Sequence, residues 1–441
     1  MDFKTLADIL KNAGVVGAGG AGFPSYAKLN EKADTIILNC AECEPLLKLH
    51  RQVLENYAEE IVFALKTVKD TLKADRVIIA IKPHYKDAVE ASREAIEGKE
   101  GFEIGFLPEI YPAGDEVVTI YETTGRVVPA GQLPISVGCI VFNVETMLNA
   151  YYAITENKGV TYKYVTVAGE VKKPCTLKVP LGMTYGEVVE LAGGATIENP
   201  VFFAGGPMTG SISSKRDVVT KTSNAILVLP ENQYIIQKRM TPVTISMKRA
   251  MSACCNCMMC TDLCSRNLLG HPIDPQKFMM NVTGGVTKDV KPYIDSFFCC
   301  SCGICEYYAC FQGLSPTTLL GMTKDKLKKA GVQIPKDIET KEVHKLREFR
   351  TVPITKLVRH LGLVKYDVEC PLDDTLVKAD KVKIILSQHI GAPAIAAVKK
   401  GDKVSAGDVV AKAPEGLGVT IHASISGTVS EVTDTHIIIK A

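Results

Sequence analysis

No stretch of the chain approaches the roughly 18 consecutive apolar residues that a membrane-spanning helix needs. The first residues, MDFKTLADILKNAG, carry Asp2 and Asp8 and lack the apolar core of a secretion signal. An excess of one charge is missing too. Against 49 Asp and Glu stand 51 Lys and Arg, and a net +2 gives no electrostatic case for a nucleic-acid partner. The expectation is a cytoplasmic protein that does not span a membrane. Its 441 residues, 46% of them hydrophobic, are ample for packed cores and for about three domains.

Cysteine is what the chain has in abundance. Of 15 cysteines, ten fall between Cys254 and Cys310. In a reducing compartment such clustering points to metal rather than disulfides. Cys254, Cys257, Cys260 and Cys264 form C-x2-C-x2-C-x3-C, the spacing of bacterial ferredoxins. Cys299, Cys302, Cys305 and Cys310 repeat it with one more residue before the last cysteine. Three closely spaced thiolates wrap one corner of an iron–sulfur cube, and the fourth points away to the other cluster. One 4Fe–4S cluster is therefore assigned to Cys254, Cys257, Cys260 and Cys310, the other to Cys299, Cys302, Cys305 and Cys264. Zinc is the competing reading, but a zinc knuckle uses two C-x2-C pairs, and these runs exceed that need. Ser265 and Phe311 stand where ferredoxins usually carry proline. Cys255 and Cys300 are expected to be non-ligands, and Met258, Met259, Met279 and Met280 to pack against the clusters.

Along the chain, an amphipathic helix over the first 13 residues leads into a glycine-rich loop. "DTIILNC", "RVIIAIKP", "FEIGFLP" and "SVGCIVFN" read as strands alternating with helices, including one long helix over "PLLKLHRQVLENYAEEIVFALKTVKDTL". From Tyr164 short strands with Gly and Pro turns surround a single helix near Tyr185–Leu191. The cysteine region follows, then a charged connection, "KDIETKEVHKLREFR". From about Thr375 two-residue alternation with Gly-Asp turns predicts a compact barrel or sandwich.

The loop "GVVGAGGAGFPSYAKL" spells G-x-G-x-x-G at Gly17, Gly19 and Gly22. A dinucleotide fingerprint must follow a strand and open a helix. Here the loop follows a helix, so its glycines are better suited to offering bare backbone to a flat or anionic ligand. Cys40 and Cys43 form C-x2-C and are read as pocket lining. Isolated histidines, His271, His344 and His389, are read as structural.

"GAGGAGFPSYAK", "NCAECEP", "YPAGDE" and "NVET" occur in an order that resembles the flavin-carrying component of respiratory complex I and, more closely, the RnfC-like proteins. With the barrel last rather than first, the chain is most similar to the PduS-type cobalamin reductases of propanediol utilization. The resemblance implies a multidomain α/β chain. It would comprise a complex-I-type FMN/NADH-binding α/β domain over 1–160, an SLBB β-grasp module over 161–236, a ferredoxin-like dicluster helical domain over 240–342 and a barrel-sandwich hybrid over 369–441. It implies that Gly17, Gly19, Lys28, Asn39, Glu42, Gly114, Asn143 and Thr146 hold FMN, and that Phe23, Glu44 and Glu116 face NADH. Ala18, Ala41, Asp115 and Phe142 depart from the complex I pattern. The barrel resembles lipoyl carriers, but the comparable hairpin "IHASISGT" has no lysine to modify, which favours a docking role.

The implied activity is an NADH-dependent reductase passing electrons through FMN and two 4Fe–4S clusters to a corrinoid. Its partners would be NADH, the corrinoid or a cobalamin adenosyltransferase, and a microcompartment shell. The alternatives are an RnfC-like protein serving a membrane Rnf-type complex or an amino-acid reductase, and a metal-stapled scaffold without activity.

Overall fold

The computed structural model describes residues 1–335 and 338–441. Four parallel strands, β1 (Thr35–Cys40), β2 (Arg76–Ile81), β3 (Phe102–Phe106) and β4 (Cys139–Asn143), lie in the order β3-β2-β1-β4. β1 and β2 are near-continuous apolar runs, as strands covered on both faces must be. Helices α1 (Phe3–Asn12), α2 (Leu49–Asn56), α3 (Ala58–Leu72), α4 (Lys86–Ile96) and α6 (Val144–Glu156) share one core with Ile36, Leu38, Val77 and Ile79. α5 (Glu116–Thr124) covers Ile37, Ile78 and Val141 on the opposite face. The chain runs outward from β1 to β3, then returns to place β4 on the other side of β1. That reversal opens a crevice at the carboxyl ends of β1 and β4, where Asn39 stands opposite Asn143.

The single long helix expected from Pro45 to Leu72 is two. The chain turns at Leu46 with φ of +69°, and helix begins only at Leu49. It breaks at Tyr57, which leaves helical geometry at φ −135° while its hydroxyl bonds Asp374.

A β-grasp unit follows: β5 (Tyr162–Gly169), β6 (Cys175–Pro180), β7 (Pro200–Ala204), β8 (Ser211–Ser213) and β9 (Ala225–Pro230), in the order β6-β5-β9-β7-β8, with α7 (Tyr185–Leu191). Thr184 and Glu187 close a capping box at the start of α7. Leu372–Asp373, within the segment expected to open the barrel, pairs with β6 and extends this sheet. The barrel strands begin at Lys381 and form two small sheets.

The cysteine region is helical between loops, with α8 (Val243–Ala253), α9 (Pro275–Gly284) and α10 (Pro316–Lys329). The charged segment beyond it is a strap rather than a free linker; its Lys336 and Asp337 lie outside the described residues. Lys341 N donates to Gly270 O and His344 N to Leu268 O, both at 2.9 Å, and Val352 pairs with Tyr111. The hairpin "IHASISGT" is not a swinging tip. Ser424 Oγ donates to Leu181 O at 2.6 Å, and the His422 ring lies so close to Gly159 that a Cβ there would stand 2.4 Å from it.

Glu145 and Lys163 form an ion pair between α6 and β5, with side chains 0% and 1% exposed. Tyr164 N donates to the carboxylate at 3.1 Å, and the ammonium donates to Asn224 Oδ1 at 2.8 Å. Removing one partner strands the other charge. Lys163→Met is expected to lower stability by about 3–5 kcal/mol, read from the denaturant midpoint of the flavin and β-grasp units.

Candidate functional site

The glycine loop closes on itself and lies over the β1/β4 crevice. Gly17 N donates to Phe23 O at 2.9 Å and Ser25 N to Val15 O at 3.1 Å. Thr146, at the start of α6, pins it: its hydroxyl accepts from Ala18 N at 2.9 Å and donates to Val16 O at 3.2 Å. Thr146, which the resemblance places among the FMN-holding residues, thus has its hydroxyl engaged by the loop. Gly19 rests against Asn143, and a Cβ there would stand 2.4 Å from Asn143 Nδ2. Gly22, at φ +75°, backs onto the barrel, with His389 Cα 3.0 Å from where a Cβ would be.

Two openings meet at this loop. The smaller, about 150 Å³, is lined by Gly17, Gly19, Phe23, Lys28, Asn39, Glu116, Asn143 and Thr146. Lys28 Nζ donates to Val141 O at 2.9 Å and pairs with Glu116 at 3.0 Å, so cation and carboxylate sit on one wall. Asn39 Nδ2 donates to Gly114 O at 3.0 Å. The larger cleft, about 760 Å³, starts at Gly19, Asn39 and Asn143, passes Glu42, Glu44 and Gly114, and ends at Cys300–Cys302. Thr209, Thr220, Thr222 and Asn224 of the β-grasp unit form its other wall.

Glu42 has left-handed backbone, φ +39°, and a side chain only 1% exposed. Its Oε1 accepts from His50 N at 2.7 Å, while Oε2 accepts no hydrogen bond and has Arg51 Nε 3.9 Å away. Burial raises this carboxyl above the usual range, against the opposing hydrogen bond from His50 and the nearby Arg51. His50, which the sequence reading missed, links Glu42 to Asn143. Asn143 Oδ1 caps α6 by accepting from Glu145 N and Thr146 N, so its Nδ2 is the donor to His50 Nε2 at 3.0 Å. The His50 proton then belongs on Nδ1, 4.0 Å from Glu42. Burial, with Lys163 nearby, pushes His50 down to about 3.

Glu44, expected to face NADH, clamps the turn after β7. Its oxygens accept from Met208 N at 2.9 Å and Thr209 N at 3.0 Å. Gly206 leaves room for that approach, since a Cβ there would lie 2.3 Å from Glu44 Oε2. Of the C-x2-C pair only Cys43 lines the cleft; Cys40 is fully buried in the core, which corrects its reading as pocket lining. Burial pushes the Cys43 thiol up to about 12 and raises Cys40 strongly, so neither is a ready thiolate.

The structure brings the cluster cysteines together in two sets. One cavity is lined by Cys254, Cys257, Cys260 and Cys310, the other by Cys264, Cys299, Cys302 and Cys305. Cys255 and Cys300 also touch these cavities. Among the described residues no three Cys, His, Asp or Glu converge on a single-ion point. Each set of thiols lines a common cavity. Both loops turn the same way: φ is positive at Asn256 and Met258 in one, and at Ser301 and Gly303 in the other. Gly303 adopts this backbone freely and Asn256 tolerates it, so the fold imposes it only on Met258 and Ser301. Met258 and Met279 line the first cavity, whereas Met259 and Met280 are 39% and 44% exposed and do not line it.

The second cavity joins the cleft. Cys300 and Cys302 line both, and Tyr111 Oη donates to Cys302 O at 2.7 Å. Arg266, beside the same cavity, pairs with Asp115 at 2.8 Å. The three singled-out histidines have local partners: His271 Nε2 meets Val128 O at 2.9 Å, His344 Nδ1 accepts from Leu346 N, and His389 Nε2 from Val419 N. No helix among the described residues is long and apolar enough to cross a membrane.

Four family models match the chain. They are the Nuo51 FMN-binding domain over residues 10–152, the SLBB domain over 164–211, the 4Fe-4S dicluster domain over 253–315 and the RnfC barrel sandwich hybrid domain over 368–441. The chain is thus an oxidoreductase carrying FMN and two iron–sulfur clusters. A cobalamin reductase PduS from Citrobacter freundii is 39% identical over 98% of this chain and 96% of its own. That of Salmonella typhimurium is 39% identical over 96% and 94%. A component of the proton-translocating ferredoxin:NAD(+) oxidoreductase complex of Clostridium ljungdahlii is 33% identical over 61% of this chain and 57% of its own. An NAD+-reducing NiFe hydrogenase in the H2-reduced state shares the fold at a TM-score of 0.50 and 19% identity, over 77% of this chain and 65% of that one.

The Cβ clash at Gly19 predicts that Gly19→Val loses bound FMN while the iron–sulfur absorption persists; flavin retained at wild-type stoichiometry would remove the loop from the site. His50 gives a pH dependence. Between its folded value of about 3 and the ordinary 6.5, the unfolded chain binds the proton and the folded chain does not. Stability therefore falls as pH drops through that window, by up to about 5 kcal/mol. His50→Gln is expected to flatten the difference in urea midpoint between pH 7 and pH 4.5.

Proposed function

Since the chain belongs to the family of the PduS cobalamin reductases, we propose that it takes electrons from NADH and delivers them to a corrinoid. The observation that carries this is the continuous cleft from the glycine loop to Cys300–Cys302. When bound, FMN accepts a hydride and releases electrons singly to the 4Fe–4S clusters.

The residues present fit these groups. Gly17 and Gly19 supply a floor without side chains, and Asn39, Gly114 and Asn143 supply polar groups at the strand ends. Lys28 offers a cation on the polar side of the pocket, held in place by Glu116 and Val141 O. Glu42 would border the flavin from the cleft wall, its carboxyl held by His50 N and Arg51. Thr146 acts at one remove, by fixing the loop. Phe23 and Glu116 border the smaller opening, from which a nicotinamide would approach. Glu44 contributes by holding the 206–209 turn rather than by touching the dinucleotide. Cys254, Cys257, Cys260 and Cys310 would ligate one cluster, and Cys264, Cys299, Cys302 and Cys305 the other. The domain limits of 1–160, 161–236, 240–342 and 369–441 are kept as functional units, with Leu372–Asp373 lent to the β-grasp sheet. The cytoplasm, and within it a bacterial microcompartment, is the site of action that this reading implies, and a cobalamin adenosyltransferase the consumer of the reduced corrinoid.

Reconstituted protein mixed with NADH without oxygen should bleach its flavin and then reduce added hydroxocobalamin. A flavin that NADH leaves unbleached would sink the proposal. Bleaching with ferredoxin reduced and cobalamin untouched would move the chain to the role of an RnfC-like protein.

A further inference from the structure

The two cysteine cavities differ in what surrounds them. The one lined by Cys299, Cys302 and Cys305 opens into the cleft, and Cys305 is 8% exposed. The one lined by Cys254, Cys257, Cys260 and Cys310 has no residue in common with the cleft. It is instead bordered by surface: Cys255, Cys257, Met258 and Phe311 are all exposed, Phe311 by 66%. Cys260 of this outer cavity is among the neighbours of Cys305 of the inner one, so the two sites adjoin.

The surface around the outer cavity is apolar with a cationic edge. Met251 is 62% exposed and Met258 47%. On α8, Lys248, Met251 and Ser252 share a face at i, i+3 and i+4, and Arg249 is exposed beside them. From Asn232 to Thr261 the chain has four cations and no Asp or Glu. The segment from Cys310 to Thr323, which closes the cavity's other side, carries no charge at all. Flexible methionines and an exposed phenylalanine are costly on a free surface and suited to a partner's. The chain's net charge is only +2, so two carboxylate-free stretches beside the cavity, with Lys248 and Arg249 exposed, are a local feature.

We infer that the face formed by Met251, Met258, Phe311, Lys248 and Arg249 docks an electron-accepting protein whose own redox centre is rimmed with carboxylates. The apolar centre would exclude water over the outer cysteines, and the cations would steer and orient the partner. Each encounter would pass one electron, oxidising this chain by one and reducing the partner by one. This rests on the reading above only in that the outer cavity holds a cluster.

An acidic flavodoxin is the probe, titrated against the full-length holoprotein at low salt. Lys248→Glu with Arg249→Glu is expected to weaken its Kd at least tenfold, with flavin and iron–sulfur absorbance unchanged. Raising the salt to about 0.5 M should erase the difference, since screening then acts over a few ångströms. Met251→Asp with Phe311→Asp should weaken binding at both salt concentrations. A Kd within twofold of wild type in both double variants overturns the inference. So does equally tight binding of basic cytochrome c or of anionic lipid vesicles, or a wild-type dimer that Met251→Asp with Phe311→Asp dissociates. Binding that persists in protein unable to oxidise NADH supports the face and counts against the NADH reading alone.

Discussion

A bare backbone must lie against the carboxyl ends of two neighbouring strands, and much of the architecture serves that contact. Gly19 touches Asn143, the last residue of β4, at a distance that admits no side chain. The loop buries Val15, Val16 and Ala18, and it is also held from outside. Thr146 grips it from below, and Gln388 and His389 of the barrel cover Gly22 from above. Lys221 of the β-grasp unit reaches Gly14 O at 2.7 Å and Thr420 O of the barrel at 3.2 Å. That ammonium is buried without a carboxylate, and burial pushes it down to about 7. Three units thus meet at one loop. The barrel's place in the fold is that of a lid fixed over the loop's outer side, and its hairpin is immobilised for the same reason.

Electrostatics at the crevice follow from burying polar groups in a low-dielectric site and then partnering them almost completely. Asn143 uses its oxygen on α6 and its amide on His50, and His50 uses its backbone N–H on Glu42. Lys82 is buried on the same side and donates to Glu42 O at 3.3 Å. Among the described residues lining these openings, Glu42 Oε2 and Ser25 Oγ accept no hydrogen bond, and Arg51 Nε stands 3.9 Å from the former. A carboxylate oxygen buried with only that longer contact is costly, in keeping with the upward push that burial gives the Glu42 carboxyl.

The parallel strands were legible because "TIILNC" and "RVIIAI" are apolar runs of strand length, and the cysteines grouped by their short spacings line the two cavities in the same sets, with Cys255 and Cys300 beside them. The sequence reading missed whatever depends on contact between distant segments. Nothing local marks Tyr57 as a helix break, and the partner of its hydroxyl is Asp374, 317 residues away. Glu44 looked like a ligand group because its partner, the turn at Met208–Thr209, lies in another unit. His50 is an ordinary helix residue until β4 brings Asn143 to it. Lys221 reads as a surface lysine beside Thr220 and Thr222, and only the barrel's return buries it.

The two cysteine loops show how position can separate sites of similar chemistry. Their backbones turn alike, with positive φ at corresponding places, although Asn256 and Met258 answer to Ser301 and Gly303. A shared turn serves a shared task, the wrapping of three thiols around a volume. The difference lies outside the turn. Behind Cys299–Cys305 stand Tyr111, Asp115 and Arg266, a polar bridge to the flavin unit. Around Cys254–Cys260 stand methionine, phenylalanine and lysine side chains facing solvent. Asp115 also caps α5, accepting from Val117 N and Val118 N. The helix that backs the flavin sheet is thereby anchored to the inner cysteine site through a single carboxylate. The outer cavity is held differently: Lys238 Nζ donates to Gly313 O at 2.7 Å and to Leu314 O at 2.9 Å on its wall, and the neighbouring Arg239 donates to Met208 O of the β-grasp unit at 2.9 Å.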